Sequence, residues 1–342
     1  MPRLAAARTA LLPAFQDTSS ADLTRALAEG GAPLEALIIS NQLAPLWHAR
    51  TNVEAFRAAR HHAALVYMRQ RAALHEIDER FTQGGIRHAV IKGAAIRELI
   101  YDDPAVRACS DIDILVAPDQ RFAAARILVD CGYRLHVDPS LASHEVTLSK
   151  RLIDIDLHWD ILRPGRTRVP VIDGMLARRH NPAGMWMLSD VDSLFLMLVH
   201  AAVQKYVTAN MGLHRVADIA LWWQRRRVDW PRVHRDLETS GLKTGAWTVL
   251  SWVHCLAPAS FALLIDEPTA SVQPGAVKQA YLKSWLEHDL PTRFSKFHAL
   301  RLLAFSTLMH DQWSGAWHGL DGWRRTRKLS SEDASVFNTL VD

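Results

Sequence analysis

Apolar positions in the first 85 residues recur at helical spacing. The clearest run extends from Glu54 to Thr82, where Phe56, Ala59, Ala63, Val66, Ala73, Ile77 and Phe81 fall on one helix face. Gly84-Gly85 ends it. The period then changes. His88-Ala89-Val90-Ile91 is a short, apolar, β-rich run that reads as a buried strand delivering its end to a Lys92-Gly93 loop. A short helix from Ala94 to about Tyr101 follows, closed by Asp102-Asp103-Pro104. Next comes Ser110-Asp111-Ile112-Asp113-Ile114-Leu115-Val116, an alternating strand pattern, and then a helix opened by Pro118 and ended by Gly132. Tyr133 to Val137, Glu145 to Leu148 and Leu152 to Trp159 read as three further strands.

Pro164-Gly165 marks the exit from this mixed region, and beyond about residue 186 the spacing is helical again. Ser189 with Asp192 has the spacing of a capping box ahead of Leu194, Phe195, Leu198, Val199 and Ala202. The pattern predicts an α+β fold: a small mixed β-sheet core with helices over 86–165, N-terminal helices over 1–85, and a C-terminal helical domain over 166–342. A length of 342 residues is in keeping with two or three compact units.

Composition narrows the function classes. Apolar residues make up 49% and charged residues 22%, an ordinary globular balance that argues against extended disorder. The formal charge of +4 admits an anionic substrate without marking a dedicated nucleic-acid binder. Cys109, Cys131 and Cys255 are dispersed and form no CxxC pair, which fits a reducing compartment and argues against a disulfide scaffold or zinc knuckle. Charge interrupts the start, Met1-Pro2-Arg3-Leu4, before any signal-like apolar stretch develops, and no run has the length of a membrane span. The expected location is the cytoplasm. Most of the twelve tryptophans lie beyond residue 185 and read as bulky helical core.

The acidic strand carries the chemistry. Side chains on a strand repeat every second residue, so Asp111 and Asp113 share one face and Ile112 and Ile114 the other. The two Asp α-carbons are then roughly 6.5–7 Å apart, close enough for their oxygens to converge on a divalent cation. A second alternating acidic pattern, Ile153-Asp154-Ile155-Asp156-Leu157-His158-Trp159, supplies a further carboxylate, and parity alone does not choose between Asp154 and Asp156. Upstream, Lys92 can neutralise phosphate, and Gly93 lets backbone N–H groups approach it without a Cβ in the way. Arg107 stands between phosphate contact and a structural ion pair, and His158 lies on the acidic face. Among the later helices His200, Lys205, His214, Arg215 and Asp218 are the polar candidates, with His214 and Asp218 on one face. Arg225-Arg226-Arg227 and the cluster Arg324, Arg325, Arg327 and Lys328 read as solvated surface.

In order, these blocks resemble the DNA polymerase β-type nucleotidyltransferase superfamily. More narrowly, Val90-Ile91-Lys92-Gly93-Ala94-Ala95, Leu99-Ile100-Tyr101, Arg107, Ser110 to Val116, Gly132-Tyr133 and Asp156-Leu157-His158-Trp159 are similar to an uncharacterised bacterial nucleotidyltransferase family. The resemblance implies a nucleotidyltransferase core in which Asp111, Asp113 and Asp156 are the catalytic, metal-binding carboxylates. It favours Asp156 over Asp154, and it places Lys92, Gly93, Arg107, Ser110 and His158 around the nucleotide. It implies Mg²⁺ or Mn²⁺ as cofactor, a nucleoside triphosphate as substrate, and transfer of a nucleoside monophosphate to an acceptor hydroxyl with release of pyrophosphate. The acceptor expected is a small molecule, peptide or protein rather than RNA. The chain departs from the superfamily at Gly93-Ala94, where Gly-Ser or Gly-Gly is usual. Two rivals remain at this level: a sugar-nucleotide-dependent glycosyltransferase with an Asp-x-Asp metal site, and a non-catalytic nucleotide-binding protein.

Overall fold

The computed structural model describes residues 2–137, 144–182, 184–206, 212–288, 308–312 and 331–340. Helices α1 (Pro2–Leu11), α2 (Ser20–Ser40), α3 (Ala44–Thr51) and α4 (Arg57–Gln83) precede the sheet. Ser19 caps α2 by accepting from the Asp22 N–H, and α2 bends at Gly31, whose φ of +52° suits only glycine at low cost, just ahead of Pro33. Helix α4 matches the long apolar stripe, burying Ala63, Ala73, Leu74, Ile77 and Phe81.

Five strands form one mixed sheet: β1 (His88–Ile91), β2 (Ile112–Val116), β3 (Arg134–His136), β4 (Glu145–Lys150) and β5 (Ile153–His158), in the order β1-β2-β5-β4-β3. The α+β reading holds. The central pair β2–β5 is parallel and every other pairing is antiparallel. Helix α5 (Lys92–Ile100) joins β1 to β2, and α6 (Arg121–Asp130) follows β2. Helix α5 begins two residues earlier than the sequence spacing indicates. Ile91 is still extended and Lys92 already starts the helix, so the strand passes into α5 without an intervening loop.

Strand alternation separates the sheet into two unlike faces. Ile112, Ile114, Val146, Leu148, Ile155 and Leu157 pack in a core with Leu74, Ile77 and Phe81 of α4 and Ala124, Ala125 and Leu128 of α6. The opposite face carries the intervening residues of β2, β4 and β5, among them the polar Asp113, Glu145, Thr147, Asp156 and His158. Helices α7 (Ile172–Ala177), α8 (Asp190–His200), α9 (Leu213–Arg225), α10 (Trp230–Ser240), α11 (Lys243–Leu256), α12 (Ala259–Ser271) and α13 (Ala276–His288) make up the later part of the chain. Ser189 caps α8 as its spacing indicates, accepting from the Asp192 N–H at 3.2 Å.

The N-terminal helices and α8–α12 contribute to a single hydrophobic cluster that also takes in Ala89, Ile91 and Leu115 from the polar side of the sheet. Polar bonds reinforce it. Arg8 Nε donates to the Cys255 carbonyl at 2.8 Å, Gln224 Nε2 to that of Ala14 at 2.9 Å, and Trp47 Nε1 to that of Ala10 at 2.8 Å. The arginine run at the end of α9 is only partly a solvated surface. Arg226 pairs with Asp190 at 2.6 Å, and Arg225 donates to the Ile100 carbonyl at 2.8 Å. The Arg324, Arg325, Arg327 and Lys328 cluster and the Lys205 side chain lie outside the described residues. Among the described residues no helix is long and apolar enough to cross a membrane.

One buried ion pair fixes α9 over the sheet. Arg107 Nη2 donates to Asp218 Oδ2 at 2.7 Å, its Nε lies 3.0 Å from Oδ1, and the Tyr101 hydroxyl donates to Oδ1 at 2.7 Å. Both charged side chains are under 10% exposed. Removing one partner would leave an uncompensated charge in the interior. Asp218→Ala is therefore expected to cost about 3–5 kcal/mol of unfolding free energy in urea titration. The double change Arg107→Met with Asp218→Leu should recover most of that loss.

Candidate functional site

Asp113 and Asp156 are direct neighbours across the parallel pair, because the register sets Asp113 opposite Asp156 and Leu115 opposite His158. Asp154 is exposed and lies one residue before the paired stretch of β2 and β5, opposite Ser149 on β4, whereas Asp156 is half-buried beside Asp113. Asp113, Asp156 and His158 each offer one ligand atom, and the three atoms lie within 4.8 Å of one another. Asp111 does not join this group. It sits in the bend just before β2, where the Ser110 hydroxyl lies 3.1 Å from its Oδ1.

Positive charge is already gathered around Asp113. Lys92 Nζ donates to Asp113 Oδ1 at 2.7 Å and lies 3.1 Å from His158 Nε2, which is itself 2.9 Å from the same Oδ1. Burial raises the Asp113 pKa, but the Lys92 ammonium and His158 outweigh it and hold the carboxyl well below the usual range. Burial likewise pulls Lys92 down, and attraction to Asp113 and Glu145 overrides it, leaving the ammonium firmly charged. Asp156 moves the other way. Burial raises its pKa, and the donation from Thr147 Oγ1 to its Oδ1 at 2.7 Å offsets this only in part, with Asp113 adding like-charge repulsion.

The Lys92 backbone adopts φ +53°, a left-handed conformation that costs a non-glycine residue about 1–3 kcal/mol. Next to it, Gly93 is required by close approach. A Cβ at that position would come within 2.9 Å of Cys109 Sγ and 3.6 Å of the Arg107 guanidinium. Ala94 is fully buried in the core beneath the sheet. Arg107 is committed to Asp218 rather than to the acidic strand. Cys109 Sγ contacts the Asp111 carbonyl at 3.1 Å, and desolvation pushes its thiol up to about 11, which makes it a poor nucleophile.

These residues line one cavity of about 350 Å³. Its floor is Lys92, Asp111, Asp113 and Asp156, with Ser110 and Gly93 at one side. Its opposite wall comes from α8 and α9 through Met197, His200, His214, Arg215 and Asp218. Of the polar helical positions singled out from sequence, His200, His214, Arg215 and Asp218 therefore meet at this cavity. Glu145 also lines it and was missed by the sequence reading, because β4 shows no acidic repeat of its own. Its signal lies in the antiparallel pairing, which sets Glu145 opposite His158.

Burial lowers the His214 pKa from 6.5 to about 3, with Arg107 and Arg215 adding repulsion. The sign of the pH dependence follows from linkage. Below pH 6.5 the unfolded chain binds a proton that folded His214 refuses, so this contribution to stability shrinks as pH falls and levels off near pH 3. His214→Asn is expected to flatten the plot of unfolding free energy against pH by about 1.4 kcal/mol per pH unit between pH 6 and 4. Urea melts across that range measure the slope independently of any packing loss.

No curated protein matches the chain. Residues 40–258 match the sequence model of a family described as "Uncharacterised nucleotidyltransferase". That span begins in α2, takes in the whole sheet and the cavity, and ends just beyond α11. With well over half its length matched and the acidic centre inside the match, the chain belongs to this uncharacterised nucleotidyltransferase family.

Proposed function

We propose that the protein transfers a nucleoside monophosphate from a nucleoside triphosphate to an acceptor hydroxyl, with Mg²⁺ or Mn²⁺ as cofactor, and releases pyrophosphate. The observation that carries this reading is the in-register pair Asp113 and Asp156, with His158 in ligand reach, on the floor of a cavity. The donor set suits a divalent cation. Two carboxylates and an imidazole converge there, and the Lys92 ammonium already serves as a stand-in cation on Asp113 Oδ1. Asp113, Asp156 and His158 would hold the metal, with Asp111 on the same cavity floor available to a metal-bound triphosphate. The metal, when bound, offsets triphosphate charge and polarises the reacting phosphoryl group.

The chain's own groups divide the remaining work. Thr147 holds Asp156 Oδ1, which leaves Oδ2 to align the acceptor hydroxyl and take its proton. The raised pKa of Asp156 favours that role. As the new acceptor-oxygen-to-phosphorus bond forms, the bond from the α-phosphorus to the bridging oxygen breaks and pyrophosphate departs with its electron pair. Lys92 and Arg215, on opposite sides of the cavity, supply fixed positive charge for the phosphates. Gly93 and Ser110 complete the nucleotide surroundings, His158 supports Asp113 from behind the cavity surface, and Arg107 acts by holding α9 in place.

The acceptor we favour is a small molecule, a peptide or a protein rather than RNA, since the net charge of +4 is modest for a nucleic-acid binder. Incubation with each labelled nucleoside triphosphate, Mg²⁺ or Mn²⁺, and fractionated cell extract should place label in one acceptor fraction. Asp113→Asn and Asp156→Asn should each lower transfer by about 10²–10³-fold while circular dichroism stays unchanged. Nucleotide binding without pyrophosphate release under any acceptor would overturn catalysis in favour of a binding role.

A further inference from the structure

We infer that Gln42 selects the nucleobase, its side-chain carboxamide pairing with adjacent donor and acceptor atoms on one edge of the base. The inference rests on the nucleotide-binding part of the proposed function. Gln42 is exposed and lines the same cavity as the acidic centre, so it stands at the rim. It belongs to the turn between α2 and α3, and hydrogen bonding sets the backbone there. The Gln42 N–H donates to the Ile39 carbonyl at 3.0 Å, and the Leu43 N–H to that of Ile38 at 3.0 Å. These two bonds form the helix-ending motif in which the residue after the cap turns left-handed and glycine is preferred. Here that residue is glutamine, at φ +60°. The conformation crowds a Cβ, so the chain forgoes the residue that would suit the turn best. Departures of this kind gather at ligand sites.

The turn is tied to the cavity wall. The Leu213 N–H donates to Asn41 Oδ1 at 2.9 Å, Asn41 Nδ2 donates to the Leu37 carbonyl at 2.9 Å, and the Asn41 backbone hydrogen-bonds with His214. Leu213, His214 and Arg215 open α9, so Gln42 and Arg215 meet the cavity as parts of one unit. Arg215 lies within electrostatic reach of Asp111 and Asp113. Asp156, the residue proposed to align the acceptor hydroxyl, is on β5, across Asp113 from β1 and Lys92. The nucleotide, held by Lys92 and Arg215, is therefore the substrate that reaches Gln42.

The chemistry of the side chain separates base from phosphate. A carboxamide is neutral and offers both N–H donors and a carbonyl acceptor. Phosphate oxygens only accept, so they would leave that carbonyl unpaired, and Lys92 and Arg215 already stand at the cavity to meet them. A base edge presents a donor and an acceptor side by side, which one carboxamide can meet with two bonds, as glutamine does with adenine. Among the described residues the Gln42 carboxamide has no hydrogen-bond partner, so both of its ends are available to a ligand.

The test is calorimetric titration of the full-length protein with each of the four nucleoside triphosphates, in Mn²⁺ and without acceptor. The wild type should prefer one base over the least favoured by about 10-fold or more. Gln42→Gly should bring the four affinities together. Gln42→Met, which keeps the length and a Cβ but neither donor nor acceptor, should do the same. Urea melts supply the second readout. The midpoint of Gln42→Gly should equal or exceed that of the wild type, because glycine suits the left-handed turn. A side chain that serves only the fold would lower it instead. A base preference kept at its wild-type size in either variant, even with all four nucleotides weakened together, would overturn the inference. So would a wild type that binds all four alike, or a lowered midpoint in Gln42→Gly. Wild-type protein that binds none of the four would instead overturn the nucleotide reading beneath it.

Discussion

Two carboxylates held side by side on adjacent, largely buried strands repel each other, and the polar side of this molecule is organised around that repulsion. Parallel pairing of β2 with β5 fixes the register, so Asp113 and Asp156 cannot move apart without breaking the centre of the sheet. Their charge must be met where it stands. Lys92 reaches Asp113 from the first turn of α5, Thr147 donates to Asp156 from β4, and His158 closes the group from β5. The unlike behaviour of the two carboxyls, one held low and the other raised, follows from giving the ammonium to Asp113 and only a hydroxyl to Asp156.

The same constraint explains why the sheet has one apolar face and one polar face. A strand buried on both sides usually reads as a continuous apolar run. Strands β2, β4 and β5 instead alternate, and the helices over their polar side supply a wall with its own charges. That wall is tied down by Arg107 and Asp218, which join the segment before β2 to α9 with their charges mutually satisfied. Arg107 thus shapes the cavity without spending its guanidinium on the acidic strand.

Much of this was legible in the chain. Period-two alternation located β2 and β5, and the apolar stripe located α4 to within a few residues. The choice between Asp154 and Asp156 was not legible from periodicity, because both have the same parity; only the family resemblance favoured Asp156, and the pairing with β2 sets that residue beside Asp113. The role of Arg107 was open for a similar reason. Its partner is 111 residues away, on a helix whose placement depends on tertiary packing rather than local pattern. Glu145 carried no signal of its own, since a single acid at a strand end is commonplace until the opposing residue proves to be a histidine.

The way the strands connect also orders the assembly of the centre. Strands β4 and β5 form a tight hairpin, with Lys150 opposite Ile153, so Glu145, Thr147, Asp156 and His158 can come together through local contacts alone. Asp113 lies 45 residues from His158 and joins only when the parallel pair closes a much longer loop. Four of the five polar groups thus belong to one fast-forming unit, and the fifth arrives with the slower topology. A nascent or partly unfolded chain holds only a fragment of this cluster, so the full convergence of Asp113, Asp156 and His158 is reserved for the completed fold.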